Sequence, residues 1–275
     1  MSAQSDRRIH PWRADLAAAF LKDRVKAPRY VEGRDHQVAT GLATLYGEPD
    51  KNTPAVSQLL YGEVFTVFEE KDGWAWGQNA TDDYVGYVKA NTLSRNVCTP
   101  THLVSALRTY VYSKPNLKSA TRDALSLNGR VCIIEEDANF TRIGEDAWVF
   151  LGHLAPLEQH EPDYAKTALS FLHCAYLWGG RSSMGIDCSG LVQMSLLRAG
   201  HPCPRDSDLQ KAALGEVIAS DAPLKRGDLI FSPGHVAIAI DATHAVHASA
   251  AHMAVAVDPI ASLFKPGLSS IRRLG

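Results

Sequence analysis

The chain has 275 residues, of which 45% are hydrophobic, and a formal net charge of −2 from 28 basic and 30 acidic side chains. This length suits two or three domains with ordinary hydrophobic cores. The balanced charge provides no general attraction to nucleic acid or to an anionic membrane, and no segment approaches the roughly 20 uninterrupted apolar residues of a membrane span.

The N-terminal segment contains a short apolar run, residues 16–21, between Asp15 and Lys22. The run is shorter than the apolar region of a secretory signal peptide, and no small-residue cleavage signal follows it. Pro11 and Pro28 instead bracket an amphipathic helix. We therefore expect residues 1–35 to form a leader helix that packs on the body of the protein.

An imperfect internal repeat follows, with one copy near residues 37–94 and the other near residues 101–156. The matched segments are 44–49 with 109–115, 62–64 with 129–131, and 86–88 with 147–149. Short alternating runs separated by turn residues predict strands in both copies. We expect two small β-barrels, residues 36–95 and 100–157, and these resemble bacterial SH3-like domains.

The cysteines form an odd set of five, at positions 98, 132, 174, 188 and 203, with no paired spacing. This pattern argues against a disulfide framework and for a reducing compartment. We therefore expect a cytoplasmic protein.

Cys188 is the candidate nucleophile. It follows a glycine-rich segment, residues 179–186, and precedes an apolar run, residues 191–198, that predicts a buried helix ended by Gly200. A thiol in the first turn of a helix lies near unpaired backbone N–H groups and the positive end of the dipole, and both favour the thiolate. The alternative is a small buried apolar residue, the usual role of a free cysteine.

Two histidines downstream can complete the site. Residues 229–231 predict a strand, residues 232–234 a turn, and His235 opens the next strand. If Asp241 lies near the centre of the following turn, His235 faces His247 on one side of the sheet, roughly 5 Å apart at Cβ. This arrangement suits a base and the residue that orients it. A slip of one residue would move His247 to the other face.

Other assignments of these residues stay open. His244 is expected on the opposite face from His247, and His252 in a loop, so both are interpreted as ordinary surface or hydrogen-bonded histidines. Cys188, His235 and His247 with a water could also hold catalytic zinc. No CxxC or HExxH spacing supports that alternative.

Five ordered motifs resemble the catalytic domain of the NlpC-type cysteine peptidases. They are YLWGG (176–180), DCSGLV (187–192), PRDSDLQ (204–210), RGDLIF (226–231) and GHVAI (234–238). The resemblance covers residues 163–275 and implies a papain-like domain, so the expected fold class is α+β with the two barrels and the leader in front. It implies Cys188 as nucleophile, His235 as general base and His247 as third member.

The resemblance also implies a substrate-binding set. In one subgroup, the γ-D-glutamyl-diamino-acid endopeptidases, an acid and a tyrosine of the first barrel hold the free amine of an N-terminal L-alanine, and Glu63 and Tyr84 match them. The alternatives are a solvated turn carboxylate for Glu63 and a barrel-covering aromatic for Tyr84; Asp187 can also cap the catalytic helix. We interpret Trp178 as a core aromatic. The full implied set is Glu63, Tyr84, Tyr176, Asp187, Ser189 and Ser207.

The expected function is hydrolysis of the γ-D-glutamyl–diamino acid amide in murein peptides with a free N-terminal L-Ala, in cell-wall peptide recycling. The expected partner is a murein tri- or tetrapeptide bound by a monomer, without metal, cofactor, nucleic acid or membrane. The alternatives are an exported murein hydrolase of broader specificity and a non-catalytic peptidoglycan-binding module.

Overall fold

The computed structural model of the chain describes residues 6–219, 222–263 and 270–275. Strands predominate, and the helices in these three ranges are short. None of the helices in the described ranges has the length and apolarity to cross a bilayer. The start of the predicted leader, residues 1–5, lies outside the described residues.

The N-terminal segment is extended rather than helical. Between residues 6 and 33 the regular elements are β1 (Ala17–Ala18), a 3₁₀ turn (Ala19–Leu21) and β2 (Tyr30–Val31), with β1 and β2 paired in parallel. Leu16 and Leu21 are buried against Phe68 and Trp76 of the following sheet. The prediction of a leader helix is therefore wrong. A run of six apolar residues does not distinguish a helix from a buried extended segment. Here the contacts with the sheet favour the extended conformation.

Residues 34–94 form a first β unit, built on one seven-stranded sheet. Its strand order is β5-β4-β8-β7-β6-β3-β9, and a 3₁₀ turn (Ala90–Thr92) separates the last two strands in sequence. The strands are β3 (Arg34–Val38), β4 (Leu42–Tyr46), β5 (Ala55–Leu60), β6 (Val64–Lys71), β7 (Trp74–Asn79), β8 (Val85–Lys89) and β9 (Leu93–Ser94).

Residues 102–156 form a second β unit with the same sequence of elements at its end. A five-stranded sheet has the order β12-β11-β16-β15-β14, and a three-stranded sheet the order β13-β10-β17. Its last strands again flank a 3₁₀ turn (Leu151–His153), as the repeat predicts. The strands are β10 (His102–Val104), β11 (Arg108–Tyr112), β12 (Thr121–Ser126), β13 (Arg130–Val131), β14 (Glu135–Asp137), β15 (Phe140–Gly144), β16 (Ala147–Phe150) and β17 (Leu154–Pro156).

A disulfide ties the linker between the two β units to the second unit. Cys98, between the units, pairs with Cys132 of the second, with a Cα–Cα distance of 6.6 Å. The expectation of unpaired cysteines is therefore wrong. The two cysteines are 34 residues apart in sequence, and only the folded chain brings them together. The cysteine count consequently no longer supports a reducing compartment.

The C-terminal unit packs helices on a six-stranded sheet of order β20-β25-β21-β22-β23-β24. Helix α2 lies against β22 and β23, and this contact forms the centre of the largest hydrophobic core. The elements are α1 (Tyr164–Ser170), β18 (Arg181–Ser182), β19 (Gly185–Ile186), α2 (Cys188–Arg198), α3 (Ser207–Ala213), β20 (Glu216–Ile218), β21 (Leu229–Ser232), β22 (His235–Ala239), β23 (His244–Ser249), β24 (Ala254–Pro259), α4 (Ile260–Leu263) and β25 (Ser270–Arg273).

Helix α2 forms where the sequence predicts it. Asp187 caps its N-terminus, because one carboxylate oxygen accepts the backbone N–H of Gly190 at 2.7 Å. Nearly every side chain of the helix is buried, the polar ones included, so the helix is packed on all sides. Gly200 follows its end with a φ of +84°, a conformation that favours glycine. The cap and the stop together fix Cys188 at the first turn.

The hairpin of β22 and β23 has a register different from the predicted one. Ile238 pairs with Val246 and Ala239 with Ala245. The turn is therefore centred one residue beyond Asp241, and the pairing is displaced by two positions. An even displacement keeps side chains on their face, since side-chain direction alternates along a strand. His235 and His247 are consequently diagonal neighbours on one face.

Candidate active site

Cys188 is buried at the N-terminus of α2, against the start of β22. The backbone N–H groups of Val236 and Ser189 point at its sulfur and favour the charged form. Burial works in the opposite direction and is the larger effect, with Asp187 adding to it, so the pKa of the Cys188 thiol is raised above its ordinary value. The sequence predicted a thiolate. In the structure the group is a thiol at neutral pH and needs a base.

His235 and His247 stand in direct contact. His235 Nε2 lies 2.8 Å from His247 Nδ1, and the two rings meet edge to face at a centroid distance of 4.9 Å. Burial, followed by the neighbouring His247, lowers the pKa of His235 to about 4. His235 is therefore neutral at physiological pH and able to accept a proton, as a general base must be.

The contact between the histidines also bears on the zinc alternative. Nitrogens held 2.8 Å apart by a hydrogen bond cannot both direct lone pairs at one metal ion. Within the described ranges, no group of three or more His, Cys, Asp or Glu side chains is placed to hold a metal.

A cavity of about 290 Å³ opens beside Cys188, between the first β unit and the C-terminal unit. Tyr176 lines the cavity together with Cys188, and burial, followed by the charge of Cys188, raises the pKa of this tyrosine. Trp178 also lines it with 66% of its surface exposed, so the prediction of a core aromatic is wrong. The expected substrate-binding residues on the lining are Tyr84, Tyr176, Asp187, Ser189 and Ser207.

One wall of this cavity is acidic. Tyr84 donates to Asp206 Oδ2 at 3.0 Å, and Asp208 lies on the same wall. Arg8 reaches across from the N-terminal segment, with 2.8 Å to Asp206 and 2.7 Å to Asp208, and also pairs with Asp6. Two carboxylates, Asp206 and Asp208, against the one guanidinium of Arg8 leave this wall negative. Sequence reasoning missed Asp206, although it stands inside the quoted PRDSDLQ motif, and missed Arg8 because nothing near it in sequence marks it.

Asp187 is held by a buried arginine. Arg205 bonds both carboxylate oxygens, at 3.0 and 2.6 Å, and reaches Ser189 Oγ at 2.8 Å. Gly179 N–H donates to the same carboxylate at 2.9 Å. This network fixes the loop before Cys188, and gives Arg205 a role that the sequence did not assign. Asp187 therefore caps the helix and lines the cavity at once.

Glu63 is buried away from the cavity beside Cys188. It is 2% exposed and makes two hydrogen bonds, at 2.9 and 3.0 Å, with Arg181, which is itself fully buried. Its carboxylate also accepts the backbone N–H of Leu60 at 2.8 Å. Glu63 is not among the residues that line the cavity. The structure therefore corrects its predicted contact with substrate, because a buried partner, Arg181, occupies the carboxylate away from the cavity.

His244 and His252 differ in their surroundings. His244 lies near the hairpin turn, within 2.9 Å of Thr243 Oγ1, away from the catalytic pair. His252 is half exposed, as expected, but its Nε2 lies 3.0 Å from Asp258 Oδ2. Asp258 also bonds His247, at 3.0 Å from its Nε2. Asp258 is a further residue that sequence reasoning missed, because β24 carries no motif.

A cysteine at a helix N-terminus beside a sheet-borne His–His pair defines a cysteine peptidase of papain-like architecture. Comparisons with known proteins agree. Residues 173–273 match the NlpC/P60 family, and residues 45–93 match the bacterial dipeptidyl-peptidase SH3 domain. The chain belongs to the NlpC/P60 family of cysteine peptidases.

Individual relatives extend the match beyond the catalytic unit. Dipeptidyl-peptidase 6 of Lysinibacillus sphaericus is 31% identical over 232 residues, which cover 76% of this chain and 85% of the relative. The γ-D-glutamyl-L-lysine dipeptidyl-peptidase of Bacillus cereus is 28% identical over 236 residues, covering 74% and 70%. The crystal structure of an NlpC/P60 family protein from Bacillus cereus superposes with a TM-score of 0.75 at 22% identity, covering 87% and 99%, and so shares the fold.

Proposed function

We propose that this peptidase hydrolyses the amide between γ-D-glutamate and the diamino acid in murein peptides whose N-terminal L-alanine carries a free amine. The relative from Bacillus cereus, whose name gives a γ-D-glutamyl-L-lysine dipeptidyl-peptidase, supports the substrate class. The observation that carries the finer specificity is the acidic wall, with Asp206 and Asp208 on the same cavity as Cys188. A carboxylate cluster favours an ammonium group there, and a neutral, blocked N-terminus loses those charge-assisted hydrogen bonds.

Asp206 takes the role first expected of Glu63. Both hydrogen bonds described for its carboxylate, from Tyr84 and Arg8, fall on Oδ2, and its side chain does not cap α3. Tyr84 holds the carboxylate in place from the first β unit. The substrate amine is then bound where the two units meet, and the distance from this wall to Cys188 sets which amide is cut.

The chemistry follows from the site. His235 takes the thiol proton as Cys188 Sγ attacks the γ-carbonyl of the D-glutamyl residue. The backbone N–H of Cys188, at the first turn of α2, stabilises the oxyanion. His235 then protonates the amine of the departing diamino acid. Water activated by His235 hydrolyses the thioester and releases the L-Ala-D-Glu dipeptide.

Comparing blocked with free peptide tests this specificity. The tripeptide L-Ala-γ-D-Glu-L-Lys should be cleaved with a kcat/KM roughly 100-fold above that of its N-acetylated form. Asp206→Asn should bring the two values together by lowering the first, whereas Asp241→Asn, on the distant hairpin turn, should leave their ratio unchanged. Equal rates on both peptides with the unaltered enzyme would exclude amine recognition.

The disulfide favours a second candidate, an exported hydrolase that acts on wall-attached peptides. Disulfides are typical of oxidising compartments, and the Cys98–Cys132 pair is one. Release of soluble fragments from purified cell walls would support this candidate, while activity confined to free peptides would support recycling. A purely binding role has no such support, since Cys188, His235 and His247 are assembled together.

A further inference from the structure

The His235–His247 pair is hydrogen-bonded to a carboxylate on the neighbouring strand. His247 pairs with Ala256 in the β23–β24 ladder, and Asp258 lies two residues further along β24, on the same face. Asp258 Oδ2 is 3.0 Å from His247 Nε2, and His247 Nδ1 is 2.8 Å from His235 Nε2. Three side chains on three adjacent strands thus form one hydrogen-bonded row, and the backbone N–H of Val236, the residue after His235, bonds Cys188 Sγ.

The carboxylate end of this row determines which nitrogens carry hydrogen. The hydrogen bond from His247 is the largest influence on Asp258 and holds the pKa of its carboxyl below the ordinary value. An ionised carboxylate only accepts hydrogen bonds, so His247 Nε2 must donate to it. In neutral His247 the other nitrogen, Nδ1, is then an acceptor.

The hydrogen bonding of His247 also determines which nitrogen of His235 carries hydrogen. Because His247 Nδ1 accepts, His235 Nε2 must be the donor across their 2.8 Å contact. Neutral His235 consequently keeps its lone pair on Nδ1, the nitrogen that does not face His247. A base with its lone pair on the wrong nitrogen cannot take the thiol proton.

We propose that Asp258 is a positioning residue that fixes the tautomers of His247 and His235, so that His235 presents an unprotonated Nδ1 for the Cys188 proton. The inference rests on the catalytic roles given under the proposed function. In the attack step the S–H bond breaks, the proton bonds to His235 Nδ1, and the sulfur electron pair forms the bond to the carbonyl carbon. The resulting imidazolium donates through Nε2 to His247, whose other edge donates to Asp258, and the proton later leaves on the departing amine.

His252 acts on the same carboxylate from the solvent side. Its Nε2 lies 3.0 Å from Oδ2 and 3.3 Å from Oδ1 of Asp258. A donor on each side holds the carboxylate against rotation, which keeps Oδ2 directed at His247. The half-exposed His252 does not touch the His235–His247 contact itself.

Asp258→Asn is the first test, because it keeps the shape and changes the hydrogen bonding. An amide can donate to His247 Nε2 and so stabilise the opposite tautomer, which places the hydrogen of His235 on Nδ1. We expect kcat on L-Ala-γ-D-Glu-L-Lys to fall about 100-fold, the usual contribution of a general base, with KM within about threefold. Asp241→Asn is the matched control, since Asp241 contacts His244 on the same sheet without reaching the site. A kcat for Asp258→Asn within threefold of the unaltered enzyme would overturn the proposal.

Nitrogen-15 NMR of the histidine rings tests the tautomers without turnover. In the unaltered protein, His247 and His235 should each carry hydrogen on Nε2, with signals assigned from His247→Gln and His235→Gln. Hydrogen on Nδ1 of either ring at neutral pH would overturn the proposal, even if Asp258→Asn proved poorly folded. Failure of the proposed murein substrate would leave this measurement intact, so the two claims can fail separately.

Discussion

At Cys188, burial and backbone hydrogen bonding act on the thiol in opposite directions. Two N–H groups stabilise the thiolate, but removal of the sulfur from water and the nearby Asp187 outweigh them and raise the pKa. His235, next in sequence to the Val236 whose N–H bonds the sulfur, has a pKa lowered to about 4 by burial and by His247. The resting site is therefore a neutral thiol and a neutral imidazole, and the proton moves during the attack.

The pH dependence of alkylation tests this resting state. Because burial raises the pKa of Cys188, its thiolate fraction is small at neutral pH and grows with each pH unit up to the pKa. We expect the rate of carbamidomethylation at Cys188 by iodoacetamide, followed by peptide mass spectrometry, to increase roughly tenfold per pH unit between pH 6 and 8. A constant fast rate across that range would instead show a thiolate–imidazolium pair.

The residues that sequence reasoning placed wrongly share one physical cause. Trp178 is as apolar as any core residue, and Glu63 has the chemistry to bind an amine. Exposure of Trp178 and pairing of Glu63 with Arg181 depend on how the first β unit meets the C-terminal unit. Local sequence patterns predict neither the exposure of Trp178 nor the pairing of Glu63. Cys188 and His235, in contrast, lie in motifs that fold locally.

At the scale of elements, local signals predicted most of the site. The capped, apolar helix α2 and the hairpin of β22 and β23 form where cap, turn and alternation place them. The hairpin register differs from the predicted one by two positions. His235 and His247 still lie on the same face of the sheet, because an even shift keeps each side chain on its face. The N-terminal segment is not the predicted helix, because its apolar residues pack against the sheet of the first β unit in an extended conformation.

At the scale of the whole molecule, buried polar contacts fasten the first two units to the catalytic one. Arg181, in β18, is fully buried and bonds Glu63 and the backbone oxygen of Gln58 in the first unit. Arg108 of the second unit reaches Ser183, whose N–H also donates to Ser126. These contacts fix the first unit's side of the cavity relative to the C-terminal unit, which carries both Cys188 and the acidic wall.

Glu63→Gln tests whether Glu63 is structural. Removing its charge leaves the Arg181 guanidinium buried without its main partner, and loss of one member of a buried pair costs roughly 3 kcal/mol. Thermal unfolding should show a Tm lower by about 5–10 °C. KM for the free tripeptide should stay within about threefold, since Glu63 does not reach the cavity.

Glu70→Gln is the matched control, because Glu70 lies on the same β unit in an exposed pair with Arg95 at 3.6 Å. Its Tm should change by only about 1 °C, as expected for a surface ion pair. An unchanged Tm for Glu63→Gln together with a greatly raised KM would return Glu63 to the substrate site.

The most direct measurement is the mass of the covalent intermediate. Acid quenching during turnover of L-Ala-γ-D-Glu-L-Lys should trap the L-Ala-γ-D-Glu acyl group as a thioester on the peptide that contains Cys188. Cys188→Ala should keep its fold but show neither adduct nor turnover. An adduct on another residue, a different acyl fragment, or appreciable hydrolysis by Cys188→Ala would contradict the account.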